Sequence, residues 1–209
     1  MKRRSRLSDE CRRKAVGLVV DGASALRLQR ELPLGSYHTA LRLANQVREE
    51  MAKVDWPSMR GSVVLSDESL RVVAGPNFRI WLGAELRGNA FGLIAMVPAT
   101  MSAVNDAKAM RQRRESSARV ITPKGGYLNW LAETGYQRLP RDEDTPELKQ
   151  LSRLATEFRL FLSQRRHRIL KRSTVGSYLT EFVFHHNARV LSWTEEEKIS
   201  SVWETLRGR

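Results

Sequence analysis

The sequence predicts an α/β protein in which a helical N-terminal head precedes a mixed-sheet core and C-terminal helices. Three observations lead to this fold class. Residues 22–51 have the pattern of a short helix, a tight turn and a longer helix. Short β-prone apolar runs follow at residues 62–66 and 78–97, and helical periodicity returns after residue 146. We therefore expect a head at residues 1–56, a core at 57–190 and a helical tail at 191–209.

The composition favours a folded protein with a polyanionic partner. Hydrophobic residues make up 41% of the 209 residues, which is enough for a core. Lys and Arg number 36 against 23 Asp and Glu, so the formal charge is +13. Such an excess points first to nucleic acid. No apolar run approaches the roughly 18 residues that a membrane span requires, so we expect no membrane partner. The single cysteine, Cys11, excludes an internal disulfide and favours a reducing cytoplasm.

The head is predicted to contain three helices, each preceded by a serine that can cap it. Ser8 precedes a helix over residues 8–21, and Asp9 and Glu10 suit the positive end of its dipole. Ser24 precedes a helix that ends near residue 32. A turn at residues 33–35 separates it from a long helix capped by Ser36. On the first helix, the spacing predicts that Cys11 is a buried small hydrophobe rather than a reactive thiol.

The long helix has one apolar stripe and one polar face. Ala40, Ala44, Val47 and Met51 share the stripe, so the opposite side is free to meet a groove. Arg and Asn side chains can read base edges bidentately, while Ser, Thr and Tyr can bind phosphate. A DNA-reading helix-turn-helix and a small three-helix packing module both fit this pattern, and the charge favours the DNA reader. The candidate DNA-binding residues on this helix are Ser36, Tyr37, His38, Thr39, Arg42 and Asn45.

Beyond a Pro- and Gly-containing linker at residues 55–61, the core pattern alternates strands and helices. A strand at 62–66 is followed by a hairpin whose turn is Arg-Gly-Asn at 87–89. A helix at 99–114, a strand at 118–122, a helix at 127–136, an acidic loop and helices at 146–161 and 174–186 follow. The tail carries one more helix at 193–206. Three successive strands followed by helix, strand and helices resemble a ribonuclease-H-like core.

Two end motifs resemble one specific family. The run SALRLQREL-PLGSYHTALRLANQVREEM and the closing run YLTEFVFHHNAR are similar to those of bacterial insertion-sequence DDE transposases. The branch concerned carries a zinc ribbon, a helix-turn-helix and a ribonuclease-H-like core. The middle run TPKGGYLNWLAETGYQRLP resembles the segment around that family's second catalytic acid. The resemblance implies carboxylates that bind two Mg²⁺ ions for phosphodiester chemistry, because paired divalent ions need anionic oxygen ligands.

The acids that the resemblance implies are mostly replaced in this chain. Ser66 stands at the first acid position, and Asp67 is the fallback after a one-residue slip. Pro123 stands at the second position and Ser152 at the third. Glu157 lies about 140° round the helix from Ser152. No counterpart of the zinc ribbon occurs in the sequence. The resemblance therefore predicts an inactive catalytic pocket, in which the nearby cations Lys124 and Arg138 repel metal ions and suit phosphate.

Other polar clusters have simpler explanations. His185 and His186 form a pair without a cysteine or third histidine nearby, so a structural role is predicted. Two basic clusters, one around residues 111–114 and one at 165–172, are either solvated faces or phosphate contacts. We favour phosphate contacts because the chain also carries a DNA-reading head. The second cluster consists of Arg165, Arg166, Arg168, Lys171 and Arg172.

The leading hypothesis is a transposase-derived, catalytically inactive protein that binds double-stranded DNA. It would be cytoplasmic and nucleoid-associated, as a regulator, an architectural factor or a subunit of a DNA-processing complex, with no cofactor. The resemblance implies homo-oligomers or other DNA-processing proteins as partners. One alternative is an active Mg²⁺-dependent DDE transposase or nuclease that uses Asp67 with Asp106 or Glu157. A second alternative is a basic protein–protein adaptor.

Overall fold

The computed structural model describes residues 7–70, 78–88, 90–99, 108–123, 137–139, 146–164 and 172–208. It divides into two compact units. The head unit combines Met1–Asp55 with Leu191–Arg209, and the core unit is Trp56–Val190. The C-terminal segment, predicted as a separate tail, thus belongs to the same unit as the N-terminal helices. Within the described residues no helix has the length and apolar character needed to cross a membrane.

The head unit begins with three helices, α1 (Asp9–Val20), α2 (Ala25–Glu31) and α3 (Tyr37–Met51). Each starts where a serine hydroxyl accepts a hydrogen bond from the main-chain N–H three residues later. Ser8 accepts from Cys11, Ser24 from Arg27 and Ser36 from Thr39, each at 3.2 Å. These bonds satisfy N–H groups that have no partner inside the helix. Gly22, at φ 80°, provides the left-handed backbone that ends α1.

The core of the head unit consists of small and aliphatic side chains. Ala15 and Val19 of α1 and Ala44 and Val47 of α3 are fully buried. The last helix, α6 (Glu195–Arg207), packs on α1 and α3 through a face that includes Trp203. A reciprocal capping box between Thr194 and Glu197 starts α6. Cys11, predicted as buried, is half-buried.

The core unit contains a five-stranded mixed sheet in the order β3-β2-β1-β4-β5. Strands β1, β2 and β3 form an antiparallel meander, while β4 lies parallel to β1 and β5 parallel to β4. The turn between β2 and β3 passes through Gly88 at φ 58°, at the predicted hairpin. The strands are β1 (Ser62–Leu70), β2 (Phe78–Arg87), β3 (Ala90–Pro98), β4 (Arg119–Pro123) and β5 (Gln137–Leu139).

Sequence patterns did not predict β5. It has three residues, Gln137–Leu139, and they show no apolar alternation. The helix predicted at residues 127–136 lies outside the described residues. Of the helix predicted at 99–114, the structure describes residues 108–111 as helical.

Two long helices accompany the sheet, α4 (Pro146–Gln164) and α5 (Arg172–Val190). Helix α4 packs on β1 and β2, and α5 packs on β3. Phe158 of α4 is fully buried beside Phe182 of α5, with ring centroids 5.2 Å apart. These rings join Ile80 and Leu82 in the apolar core of the unit.

Buried polar side chains complete the contact between α5 and β3. Asn187 accepts a hydrogen bond from the Ile94 N–H at 2.8 Å and donates one to the Ile94 carbonyl at 3.0 Å. His186 Nε2 lies 3.0 Å from the Gly92 carbonyl oxygen. At the irregularity between Ala84 and Leu86, Glu85 accepts from the Leu93 N–H at 3.2 Å. Main-chain groups of β3 are thus satisfied by side chains as well as by its neighbouring strand.

Candidate nucleic-acid interface

Helix α3 places its predicted polar residues on the side opposite a buried stripe. Ala40, Ala44 and Val47 are fully buried and Met51 is 1% exposed, so the orientation of the helix about its axis is fixed. The polar residues therefore cannot turn inward without removing that stripe from the core. His38, Thr39 and Arg42 are exposed, and Ser36, Tyr37 and Asn45 are half-buried. Tyr37 is an exception to the predicted face, because its hydroxyl is buried.

Arg42 lies near the middle of this face. No described carboxylate forms an ion pair with it. Arg27 on α2 differs, because its guanidinium donates to Glu31 at 2.6 Å and to Asp21 at 3.0 Å. Hydrogen bonds to these carboxylates raise the pKa of Arg27. Carboxylates thus neutralise Arg27, whereas the charge of Arg42 faces solvent.

Asn45 is held by a residue that sequence reasoning missed. Arg48, one turn further along α3 and 5% exposed, donates to the Asn45 side-chain oxygen at 3.4 Å. Residues three apart on a helix lie on the same face, so the spacing is the signal that could have found this pair. Arg48 is a positioning residue that restricts the Asn45 amide.

Ser36 and Thr39 have a structural task at the start of α3. The Ser36 hydroxyl accepts from the Thr39 N–H and lies 3.1 Å from the Thr39 hydroxyl. The rings of Tyr37 and His38 meet edge to face, with centroids 6.2 Å apart. The first turn of α3 is therefore ordered by its own side chains, which fixes the direction in which the helix leaves the turn.

In the core unit, two of the predicted acid positions lie on neighbouring strands, β1 and β4. The parallel register pairs Val64 of β1 with Ile121 of β4. Ser66 and Pro123 each come two residues beyond this last pair, on neighbouring strands of the sheet. Ser66 is 6% exposed. Neither residue carries a negative charge, and Pro123 also lacks an N–H donor.

The remaining acid candidates do not assemble a described metal site. Asp67 belongs to β1 with Trp81 as its Cα partner, but its side chain is not among those described. Ser152 and Glu157 are exposed on α4. Asp106 lies outside the described residues. Among the described part of the chain, no three His, Cys, Asp or Glu residues are grouped as a metal would require.

The predicted phosphate-binding cations of the core are described only in part. Arg138 lies in β5 with Thr122 of β4 as its Cα partner, so it adjoins the second acid position along the sheet. Arg172 is the first residue of α5, and its side chain is not described. The other predicted cations, Lys124, Arg165, Arg166, Arg168 and Lys171, lie outside the described residues.

Of the predicted histidine pair, His186 makes structural contacts with β3. His186 is 7% exposed and sits between the Gly92 carbonyl and Arg189, whose guanidinium lies 3.3 Å from His186 Nδ1. This arrangement suits a neutral ring that donates from Nε2 and accepts at Nδ1. Burial lowers the pKa of His186, the Gly92 carbonyl opposes this shift, and the Arg189 charge adds to it.

The comparisons with known proteins add no family to this geometry. No protein-family model matches the chain, and no curated protein is similar to it.

Proposed function

We propose that this chain is a transposase-derived protein that binds double-stranded DNA and has no catalytic activity of its own. The observation that carries the proposal is α3, where one exposed polar face lies opposite a fully buried stripe. A helix held this way can enter the major groove without disturbing the core of its unit. Its role is that of a regulator, an architectural factor or a subunit of a DNA-processing complex.

The dimensions and chemistry of α3 suit a recognition helix. Its 15 residues extend over about 22 Å, and a groove about 12 Å wide admits a helix. Arg42 presents a charged fork that suits the two acceptors of guanine, and the Asn45 amide suits adenine. The exposed side chains of His38 and Thr39 in the first turn can contact phosphate.

The architecture supports two parts of this proposal, the helix-turn-helix head and the ribonuclease-H-like core. Helices α2 and α3, separated by the turn at residues 32–36, fit a helix-turn-helix head. A meander whose first strand also borders a parallel β4 fits a ribonuclease-H-like core. The uncharged residues Ser66 and Pro123 at two acid positions, together with Arg138 opposite Thr122, support an inactive core.

Selection of bound sequences from random duplex DNA tests the proposal. We expect a defined preferred sequence. Arg42→Ala and Asn45→Ala should each relax specificity at one base pair by about 1–3 kcal/mol. Arg30→Ala is the matched control. It removes the same charge from an exposed position on α2 and should leave the sequence preference unchanged. If Arg42→Ala and Asn45→Ala also leave the preference unchanged, α3 is not the recognition helix.

Cleavage assays separate this proposal from the active alternative. The proposal expects no strand cleavage or joining with Mg²⁺ or Mn²⁺ on duplexes with blunt, recessed or nicked ends. Metal-dependent cleavage that Asp67→Asn abolishes would instead support a transposase or nuclease with rearranged acids. A purified protein that carries no nucleic acid and binds no duplex would favour the protein–protein adaptor.

A further inference from the structure

We propose that a basic surface on the core unit forms a second duplex-DNA contact, which holds phosphates outside the sequence that α3 reads. We call this surface the basic turn. It comprises Arg60 and the segment 108–119. The inference takes its ligand, duplex DNA, from the proposed function. Its residues belong to the core unit, whereas α3 belongs to the head unit. The cations of the basic turn are Arg60, Lys108, Arg111, Arg113, Arg114 and Arg119.

Main-chain hydrogen bonds hold the two parts of the basic turn together. The Met59 N–H donates to the Arg113 carbonyl, and the Glu115 N–H donates to the Met59 carbonyl, each at 2.9 Å. The Arg119 N–H donates to the Gly61 carbonyl at 2.7 Å. Arg60 therefore lies between two tethered positions, directly beside the arginine-rich segment. The backbone therefore holds these cationic residues in one region of the surface.

One carboxylate accompanies these six cations. Glu115 pairs with Arg60 at 2.7 Å, and both side chains are well exposed, so solvent screens the pair. Lys108, Arg111, Arg113 and Arg119 are exposed and form no ion pair within the described part of the chain. Such crowding of like charge is unfavourable until an anion joins it.

The half-buried Arg114 stabilises the backbone of the basic turn by hydrogen bonds. Its Nη1 donates to the carbonyls of Glu115 at 3.2 Å and Ala118 at 3.4 Å, which ties the turn that precedes β4. Burial, with the charge of Arg111 as the second cause, lowers the pKa of Arg114. Its two hydrogen bonds to the turn make Arg114 a positioning residue.

The side chains of the basic turn favour duplex phosphates over other polyanions. Guanidinium groups bind phosphate oxygens in a bidentate manner, and the exposed hydroxyls of Ser116 and Ser117 are further donors. Residues 108–119 contain no aromatic side chain on which unpaired bases could stack, which argues against single strands. Met110 and Ala118 are buried and Ala109 is half-buried, so no large apolar side chain is exposed there to insert into a lipid surface.

The salt dependence of binding by the full chain tests the inference. The variant Arg111→Ala/Arg113→Ala should lower the slope of log affinity against log salt by about 1.8, because each lost phosphate contact contributes about 0.9. The decrease should be the same on the preferred duplex and on a duplex of random sequence. Arg111→Lys/Arg113→Lys should keep most of the slope. Arg153→Ala/Arg159→Ala removes two exposed charges from α4 and should keep the slope unchanged.

The outcomes separate this inference from the proposed function. An unchanged slope in Arg111→Ala/Arg113→Ala overturns the inference, while a relaxed preference in Arg42→Ala still supports the recognition helix. An equal decrease of the salt slope in the control Arg153→Ala/Arg159→Ala also overturns the inference, because the effect then reflects net charge. The expected slope change without any sequence preference supports the basic turn and overturns the reading role of α3. Tighter binding of the basic turn to polyglutamate or to anionic vesicles than to duplex DNA overturns the ligand class.

Discussion

Two regions, the exposed face of α3 in the head unit and the contact between α5 and β3 in the core unit, use polar side chains in opposite ways. On α3 of the head, a row of polar residues faces solvent, and Arg42 has no carboxylate partner among the described residues. In the core, Asn187, His186 and Glu85 are turned inward and bonded to the main chain of β3. The positions that the transposase resemblance assigns to acids include Ser66 and Pro123, which have no charge.

This contrast separates a surface that can bind from a scaffold that holds its own shape. Polar groups already bonded inside a protein contribute to stability, because breaking their bonds leaves unsatisfied groups. Exposed polar groups contribute little to stability and are available for a partner. We therefore expect substitutions on α3 to change binding, and substitutions among the inward polar groups to change stability.

The largest expected effect on stability comes from the apolar core. Phe158→Ala should lower the free energy of unfolding by about 3–5 kcal/mol, since it removes a fully buried ring that packs on Phe182. Urea denaturation of the full chain measures it. Leu160→Ala is the matched control on the same helix, because Leu160 is 57% exposed and its loss should change stability by about 0.5 kcal/mol or less. Equal losses in both variants would contradict the assigned burial of α4.

The next effect concerns the amide of Asn187. Asn187→Leu should destabilise the core unit by about 2–3 kcal/mol, because the N–H and carbonyl of Ile94 lose their partner. Hydrogen exchange should accelerate at the Ile94 amide. Arg189→Ala, two residues away and exposed, should leave that amide protected. Unchanged exchange in Asn187→Leu would show that β3 does not depend on this side chain.

A smaller effect is expected in the head. Ser36→Ala should cost about 1 kcal/mol, because the Thr39 N–H at the start of α3 loses its acceptor. Ser36→Asp keeps an acceptor and should stay close to the parent protein. Chemical denaturation compares the variants, and sequence selection at a temperature where both are folded tests their DNA preference. If Ser36→Ala loses the expected stability but keeps the DNA sequence preference, the role of Ser36 is structural only.

The smallest effect is a pH dependence from His186. Burial keeps its folded pKa below the ordinary value, so the unfolded chain binds the proton first as the pH falls. Stability from this group is thus complete above about pH 6.5 and decreases below it, until the folded pKa is reached. His186→Gln should remove this contribution to the dependence of the free energy of unfolding on pH, in the range between the folded and unfolded pKa values. Identical slopes for the two proteins would show that His186 does not titrate differently in the folded state.

Local sequence signals predicted much of the helical head. The serines at residues 8, 24 and 36 mark the starts of α1, α2 and α3, because capping depends on residues three apart. The stripe of Ala40, Ala44 and Val47 predicted the buried side of α3, because residues three or four apart share one face of a helix. The hairpin at Gly88 also followed from neighbouring residues.

Long-range contacts account for what the sequence did not predict. Asn187 and Ile94 are far apart in the chain, so no local pattern connects the amide with its main-chain partners. Strand β5 is set by its pairing with β4 rather than by its own composition. The placement of Ser66 and Pro123 on neighbouring strands likewise depends on the pairing of β1 with β4, whereas the positions themselves came from a family resemblance.

The bonds from α5 to β3 also bear on how copies of this protein meet. Strand β3 is the outermost strand on its side of the sheet, and such strands commonly recruit a strand from another molecule. Here the Asn187 amide occupies the Ile94 N–H and carbonyl, and the His186 ring occupies the Gly92 carbonyl. An incoming strand would have to displace helix α5 before it could pair. Self-association through this border is therefore disfavoured.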